Sequence, residues 1–228
     1  MIEVMILAGG KGTRLASVVS GVPKPLANIN GVPFLERLIL NLKDQGFAQF
    51  RLLVGHLGAM IIEHFGHGER LGVAIEYSFE DTPLGTGGAI KNGLMDSRFD
   101  QHLVLNGDTF LQTSLRTFSS SIINDEIQMG VVAHPSPTRF GKVLFANGAV
   151  TSMQRCTTGE PGYINAGIYR LSKKHLPYMP AEKSFSFEEH HLPRMIELQK
   201  VRAFSLEGTF IDIGIPDDYQ LAQTMKLF

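Results

Sequence analysis

The 228-residue chain contains a single cysteine, Cys156, which excludes a disulfide framework and fits a reducing compartment. It lacks any apolar run approaching the roughly 20 residues that a membrane-spanning helix needs. Its start, MIEVMILAGG, has neither the basic flank nor the apolar length of a secretory leader. An excess of one charge is missing too: 21 Lys and Arg stand against 22 Asp and Glu, a formal net charge of −1. A broad basic surface for nucleic acid is thereby excluded. Internal repeats, heptads and low-complexity linkers are absent. What is there, 43% hydrophobic and 19% charged residues, is globular composition and not the charge-rich, apolar-poor mix of disorder. The expectation is a cytoplasmic, enzyme-sized domain without a nucleic-acid or membrane partner.

Short β-rich runs alternate with helical patterns through the first half. Strands are expected at 3–7, 50–54, 73–77 and 102–105, with helices at about 33–45, 59–65 and 88–95. Pro33 suits a first helical turn, Gly46 suits the position just past an end, and Phe34, Leu35, Leu38 and Leu42 recur at helical spacing. This rhythm predicts an α/β fold, a parallel sheet joined by crossover helices. The second half predicts strands at 129–133, 142–145, 150–153 and 164–169, with Asn147-Gly148 as a hairpin turn. Ser186 and Glu189 have the spacing of a capping box and predict a helix start. A last strand, 210–213, leads into a terminal helix at about 216–226. One domain over 1–228, with a β-rich lobe grown from a parallel core, is the economical architecture.

Ligands of parallel α/β sheets bind beyond the carboxyl ends of the strands, and the unusual segments fall there. Glycines 9, 10 and 12, following Leu7 and Ala8, let backbone N–H groups approach a phosphate, and Arg14 beyond Thr13 adds a bidentate donor. The same residues also suit a tight strand-to-helix turn. They form neither a Walker A loop nor Gly-x-Gly-x-x-Gly, since residue 15 is leucine. In Val22-Pro23-Lys24-Pro25-Leu26 the prolines hold the backbone extended and present Lys24 from a stiff base, or simply leave it as a solvated loop lysine. His190 and His191 are adjacent, so they face different sides of a helix and read as helix surface.

Together with Pro83-Leu-Gly-Thr-Gly-Gly-Ala-Ile90, Leu105-Asn-Gly-Asp108, Asn165-Ala-Gly-Ile-Tyr169 and Asp212-Ile-Gly-Ile-Pro-Asp-Asp-Tyr219, these segments resemble the signature of sugar-1-phosphate nucleotidyltransferases over nearly the whole chain. The resemblance implies a Rossmann-like mixed, mainly parallel sheet flanked by helices, with a small β-rich sugar-binding lobe. It divides the domain into a nucleotide-binding half, about 1–110, and a sugar-binding half, about 111–228. It implies a nucleoside triphosphate and a sugar 1-phosphate as partners, joined with release of pyrophosphate by a monomer or homodimer. No appended domain for a second activity is expected.

The same resemblance assigns roles. Mg²⁺ is the implied cofactor, held by Asp108 and Asp212; it takes oxygen ligands and often only one or two carboxylates. A turn aspartate and a helix cap are the structural alternatives. Arg14, Lys24 and Asp108 are the implied catalytic residues, with Arg14 on the leaving phosphates and Lys24 on the α-phosphoryl group. Leu7, Ala8, Gly9, Gly10, Gly12, Thr13, Pro83, Gly85, Thr86 and Asn106 surround the nucleotide. Glu80 accepts hydrogen bonds only, which suits the N1–H and amino donors of guanine, or it is a surface carboxylate. Gly141, Asn165, Gly167 and Glu188 fall on the sugar side, Glu188 doubling as a first-turn helix acid.

Where many relatives carry Phe-x-Glu-Lys, this chain has Met153-Gln154-Arg155-Cys156. A gap-free register puts Arg155 at the Glu; a one-residue shift puts it at the Lys that meets the sugar phosphate. Arg155 is the sugar-side candidate in either register. Within the family, the ending Phe210–Tyr219 and the pattern Ser186-Phe-Glu-Glu are most similar to D-glycero-α-D-manno-heptose 1-phosphate guanylyltransferases. Enzymes for mannose, muramate and glucose 1-phosphates share most of the motifs.

Overall fold

The computed structural model describes residues 1–15, 18–19, 21–121 and 125–225. Its first half runs β1 (Ile2–Leu7), the short hairpin β2 (Asn28–Ile29) and β3 (Val32–Pro33), α1 (Phe34–Asp44), β4 (Gln49–Val54), α2 (Gly58–Phe65), β5 (Ala74–Phe79), α3 (Gly85–Asp96) and β6 (Gln101–Asn106). The second half continues with β7 (Thr109–Leu111), α4 (Arg116–Ser120), β8 (Ile127–His134), β9 (Lys142–Ala146), β10 (Ala149–Gln154) and β11 (Gly162–Ser172). It ends with α5 (Leu192–Glu197), β12 (Val201–Leu206), β13 (Phe210–Asp212) and α6 (Pro216–Thr224).

Nine strands form one sheet in the order β5-β4-β1-β6-β11-β8-β12-β10-β9. β5, β4, β1 and β6 are mutually parallel, and β12 is parallel to β8. β11 runs antiparallel between β6 and β8, and the β9–β10 hairpin completes the β-rich side. This is the expected mixed, mainly parallel sheet with flanking helices. Alternate residues of β1 explain its unbroken apolar run: Val4 and Ile6 pack into one core, Met5 into the other. A strand covered on both faces has no polar side to show. α1 contributes Phe34, Leu35 and Leu38 to the first core, and α3 contributes Ile90 and Leu94 to the second. The chain therefore moves outward from β1 to β4 and β5 under helices on one face, and returns to β6 under α3 on the other. The reversal opens a crevice at the carboxyl ends of β1 and β6, the switch point where such sheets bind ligands.

Four differences from the sequence reading have physical causes. α3 starts at Gly85, earlier than expected, because its glycines are packing positions: a Cβ at Gly87 would lie 2.2 Å from the Phe185 ring. β12 escapes a periodicity reading because Arg202 and Ser205 interrupt it, yet Val201 and Leu206 are buried. The Ser186 start is half a capping box. Ser186 Oγ accepts the Glu189 N–H at 3.1 Å, but the Ser186 N–H goes to His190 Nδ1 at 2.9 Å and not to the Glu189 carboxylate. The first turn, Phe187–His191, is π-helical, and it corrects the reading of His191: His190 is exposed, whereas His191 is fully buried. The terminal helix is described to Thr224; Lys226 lies outside the described residues.

Candidate active site

β1 delivers the glycine-rich segment straight from the sheet core to the crevice. The Ala8 N–H bonds to the Leu53 carbonyl at 2.8 Å, and the Gly107 N–H bonds to the Leu7 carbonyl at 3.0 Å, so the β1 and β6 exits are stitched together. Gly12 has φ +61°, in the left-handed region, and a Cβ there would meet Lys24 Cβ at 3.1 Å. The turn thus needs glycine both for its backbone angle and for the approach of Lys24.

The resulting cleft has a volume of about 770 Å³. All the residues expected around the nucleotide line it: Leu7, Ala8, Gly9, Gly10, Gly12 and Thr13 from the loop, Glu80, Pro83, Gly85 and Thr86 from the β5–α3 connection, and Asn106 from β6. Lys11, Arg14, Lys24 and Asp108 line it as well. Lys11 and Arg14 are exposed and make no ion pair among the described residues, which leaves two cations facing the cleft. Lys24 is different. Its side chain is only 10% exposed, and Nζ donates to Asp108 Oδ2 at 2.6 Å.

Asp212 reaches the same place through a strand pair that the sequence did not reveal. β13 runs antiparallel to β7 with Asp212 opposite Thr109, and the Ile213 N–H bonds to the Asp108 carbonyl at 2.9 Å. The Gly214 N–H holds Asp212 Oδ1 at 2.6 Å. A Cβ at Gly214 would lie 2.6 Å from that oxygen and 3.2 Å from Lys24 Nζ, which puts Lys24, Asp108 and Asp212 around one point. Burial raises the Asp212 carboxyl above its ordinary value, and the neighbouring Asp108 charge raises it further. Two carboxylates held together against their repulsion form a donor set suited to a hard cation completed by phosphate oxygens. No cluster of three or more His, Cys, Asp or Glu that could hold a metal occurs among the described residues.

Glu80 braces the opposite wall. Its Oε2 accepts the Leu84 N–H at 3.1 Å, and Oε1 would be 2.6 Å from a Cβ at Gly55 and 2.9 Å from one at Gly9. Burial raises its carboxyl above the ordinary range. One oxygen is therefore committed to the loop and the other faces the glycines. The N–H groups of Gly87 and Gly88 are already bonded to the Phe185 carbonyl, at 2.9 and 3.3 Å, so these two donors of the first turn of α3 are committed within the protein.

On the sugar side, Glu188 Oε2 accepts from Thr86 Oγ1 at 2.8 Å and Oε1 accepts from the Tyr169 hydroxyl at 3.3 Å. Asn165 Nδ2 donates to that hydroxyl at 2.5 Å, and Asn165 Oδ1 receives the Gly167 N–H at 3.0 Å. Gly167, φ +68°, abuts Asn106: a Cβ there would lie 2.7 Å from Asn106 Nδ2. Asn165, Gly167 and Glu188 are thus joined to Thr86 and Asn106 of the nucleotide set. Burial and the Glu188 charge push the Tyr169 hydroxyl well above its usual range, so it acts as a neutral donor. Gly141 and Arg155 are not brought to the cleft. Gly141 sits against the Gln154 carbonyl in the turn before β9, and Arg155 is exposed, without a hydrogen bond or ion pair among the described residues.

The nucleotidyl transferase family model matches residues 3–227. This chain belongs to the nucleotidyl transferase family. It is 36% identical over 223 residues to the D-glycero-α-D-manno-heptose 1-phosphate guanylyltransferase of Aneurinibacillus thermoaerophilus, covering 97% of this chain and 96% of that enzyme. It is 38% identical over 218 residues to the enzyme of the same name from Campylobacter jejuni, covering 95% and 96%. The crystal structure of HddC from Yersinia pseudotuberculosis complexed with GMP-PN superposes with a TM-score of 0.86 at 36% identity, over 98% of this chain and 99% of that one.

For this nucleotidyl transferase, sequence reasoning missed Tyr169, Gly55, Phe79 and Arg139. Tyr169 was visible inside the Asn-Ala-Gly-Ile-Tyr segment, yet nothing local says that its hydroxyl lies between Asn165 and Glu188. Phe79 and Gly55 line the cleft from the ends of β5 and β4, strand-end positions that topology marks as functional. Arg139 forms ion pairs with Asp212 and Asp218, contacts made across long sequence separations.

Proposed function

We propose that the protein transfers GMP from GTP to D-glycero-α-D-manno-heptose 1-phosphate, giving the GDP-heptose and pyrophosphate, within one catalytic domain in the cytoplasm. The observation that supports this reading is the convergence of Lys24, Asp108 and Asp212 at the mouth of a glycine-lined cleft, in a chain similar over its length to guanylyltransferases of that sugar. An oxygen of the sugar phosphate attacks the α-phosphorus of GTP in line; the new O–Pα bond forms as the bond to the β-phosphate bridging oxygen breaks, and pyrophosphate carries the electron pair away. Both reactants are anions, so the protein orients them and neutralises charge.

In this reading Arg14 and Lys11 receive the β- and γ-phosphates, and Lys24, freed from Asp108, meets the charge growing on the α-phosphoryl oxygens. Asp108 and Asp212 would hold Mg²⁺, which when bound neutralises phosphate charge and fixes its geometry. Glu80 offers its uncommitted oxygen to the donor edge of guanine, while Asn165, Gly167 and Glu188 orient the sugar. Arg155 is the cation available to its phosphate from the β9–β10 side. No nucleophilic side chain takes part.

A matrix of GTP, ATP, UTP and dTTP against heptose, mannose, glucose and N-acetylmuramate 1-phosphates, read by pyrophosphate release, tests the pair. GTP with the heptose 1-phosphate is expected to give the highest kcat/KM. Preference for UTP or dTTP would overturn the role of Glu80, and preference for mannose 1-phosphate would overturn the sugar assignment.

A further inference from the structure

Asp212 has two oxygens with different neighbours. Oδ1 takes the Gly214 N–H at 2.6 Å, on the side where Lys24 Nζ and Asp108 stand. Oδ2 meets Arg139, whose Nη2 lies 3.4 Å off. The same guanidinium pairs through Nη1 with Asp218 in the first turn of α6 and lies 4.3 Å over the Phe140 ring. Arg139 is thus fixed on three sides: by a candidate metal carboxylate, by a second carboxylate and by an aromatic face. The planar fork lets one side chain reach both carboxylates while its face lies over the ring, which lysine cannot do at once.

Asp218 shares the guanidinium, so Arg139 is not committed to the metal carboxylate alone, although its charge still acts on Asp212. The pairing also sets direction. With Oδ2 held by Arg139 and Oδ1 by the Gly214 N–H, the carboxylate is fixed in plane, and Oδ1 lies at Gly214, where Lys24 Nζ also stands. Carboxylates that bind metals are commonly oriented by such partners, and losing one typically weakens metal binding by 10–100-fold.

Arg139 also has an address that matters. It closes the 3₁₀ turn Pro137–Arg139 that follows β8, and Gly141, the sugar-side candidate with φ +78°, is two residues on. Its guanidinium therefore links the turn entering the β9–β10 hairpin to the carboxylate at the catalytic point. We propose that Arg139 is a positioning residue that aims Asp212 at the metal and ties that aim to the sugar-side turn. This rests on the reading of Asp108 and Asp212 as the metal carboxylates.

The test titrates Mn²⁺ into the full-length protein with an α,β-methylene analogue of GTP, following free Mn²⁺ by electron paramagnetic resonance. Arg139→Gln is expected to weaken Mn²⁺ binding about 10–100-fold with the analogue's own affinity in excess Mn²⁺ unchanged. In turnover, the Mg²⁺ concentration for half-maximal rate rises, and saturating Mg²⁺ restores most of kcat. Arg139→Lys, which keeps the charge and loses the fork, is expected to fall between the two and answers the question should the glutamine variant fail to fold. Parent-like Mn²⁺ binding by Arg139→Gln, or by Arg139→Lys in its place, alongside weakened binding by Asp212→Asn, overturns this proposal alone. Parent-like binding by both Asp108→Asn and Asp212→Asn overturns the metal reading, and the proposal with it.

Discussion

The two sides of the cleft are built in opposite ways. The proposed nucleotide side is backbone: glycines at strand exits, N–H groups sewn to neighbouring carbonyls, and exposed Lys11 and Arg14 lining the cleft. The proposed sugar side is side chain: behind the cleft wall at Thr86, Glu188, Tyr169 and Asn165 continue one chain of hydrogen bonds around a fully buried phenol. A triphosphate offers the same charged oxygens whatever the base, so main-chain geometry and mobile cations suffice. A sugar differs from its rivals by the position of a hydroxyl, and buried, fixed side chains discriminate such differences because an unmatched group is costly.

The contrast can be broken in graded steps. Lys24→Gln removes the cation beside Asp108 and is expected to lower kcat about 10²–10³-fold at saturating substrates; loss confined to KM for GTP would show that Lys24 only binds. Gly87→Ala pushes a Cβ into the Phe185 ring, 2.2 Å away, and should destabilise the fold by about 1–3 kcal/mol in urea unfolding. A neutral result would mean that the Phe185 segment yields freely. Tyr169→Phe deletes the link between Asn165 and Glu188. The expected outcome is a roughly tenfold higher KM for the sugar 1-phosphate with KM for GTP nearly unchanged, and equal effects on both would erase the division drawn above.

The smallest effect concerns acid. His191 is buried with both ring nitrogens unpartnered among the described residues, and burial lowers it from its usual 6.5 to about 4. The unfolded chain therefore binds the extra proton first, and stability falls as pH drops from about 6.5 towards 4, then levels. His191→Leu is expected to flatten thermal stability across that window, and an unchanged slope would assign the acid sensitivity elsewhere. Glu36 acts in a lower window. The Arg70 guanidinium and His64 hold it at about 2, so its contribution is present above its ordinary value and disappears only as pH falls towards 2.

Legibility followed the same division. The nucleotide wall was readable because its parts are contiguous: a strand, three glycines, a proline-flanked lysine and Asn-Gly-Asp all carry their geometry in local sequence. Even there, the glycines of 85–88 spoke two languages. They were expected to surround the nucleotide, and the structure uses Gly87 and Gly88 to admit the 183–187 segment. The catalytic point was readable as residues but not as a construction, because the β7–β13 pairing that brings Asp212 beside Asp108 joins segments far apart in the chain. The contacts of Tyr169 and Arg139 were hidden because they too join segments apart in the chain. His191 misled because neighbouring histidines at a helix start suggest surface, and a π-helical first turn rotated one of them inward.

The hydroxyl of Thr86 gives the cleft a property that neither side has alone. It donates to Glu188 and accepts the Phe187 N–H at 2.8 Å, so one small side chain from the base-side helix sets the first turn of the sugar-side one. An enzyme evolving towards a new sugar by altering Glu188 must also find a new partner for Thr86, and with it a new seat for the loop that surrounds the base. With residues 86 and 188 in the proposed roles, base and sugar preference are coupled through Thr86. Redesign of one is best attempted as a library over positions 86, 169 and 188 together, in which compensated combinations outnumber viable single changes.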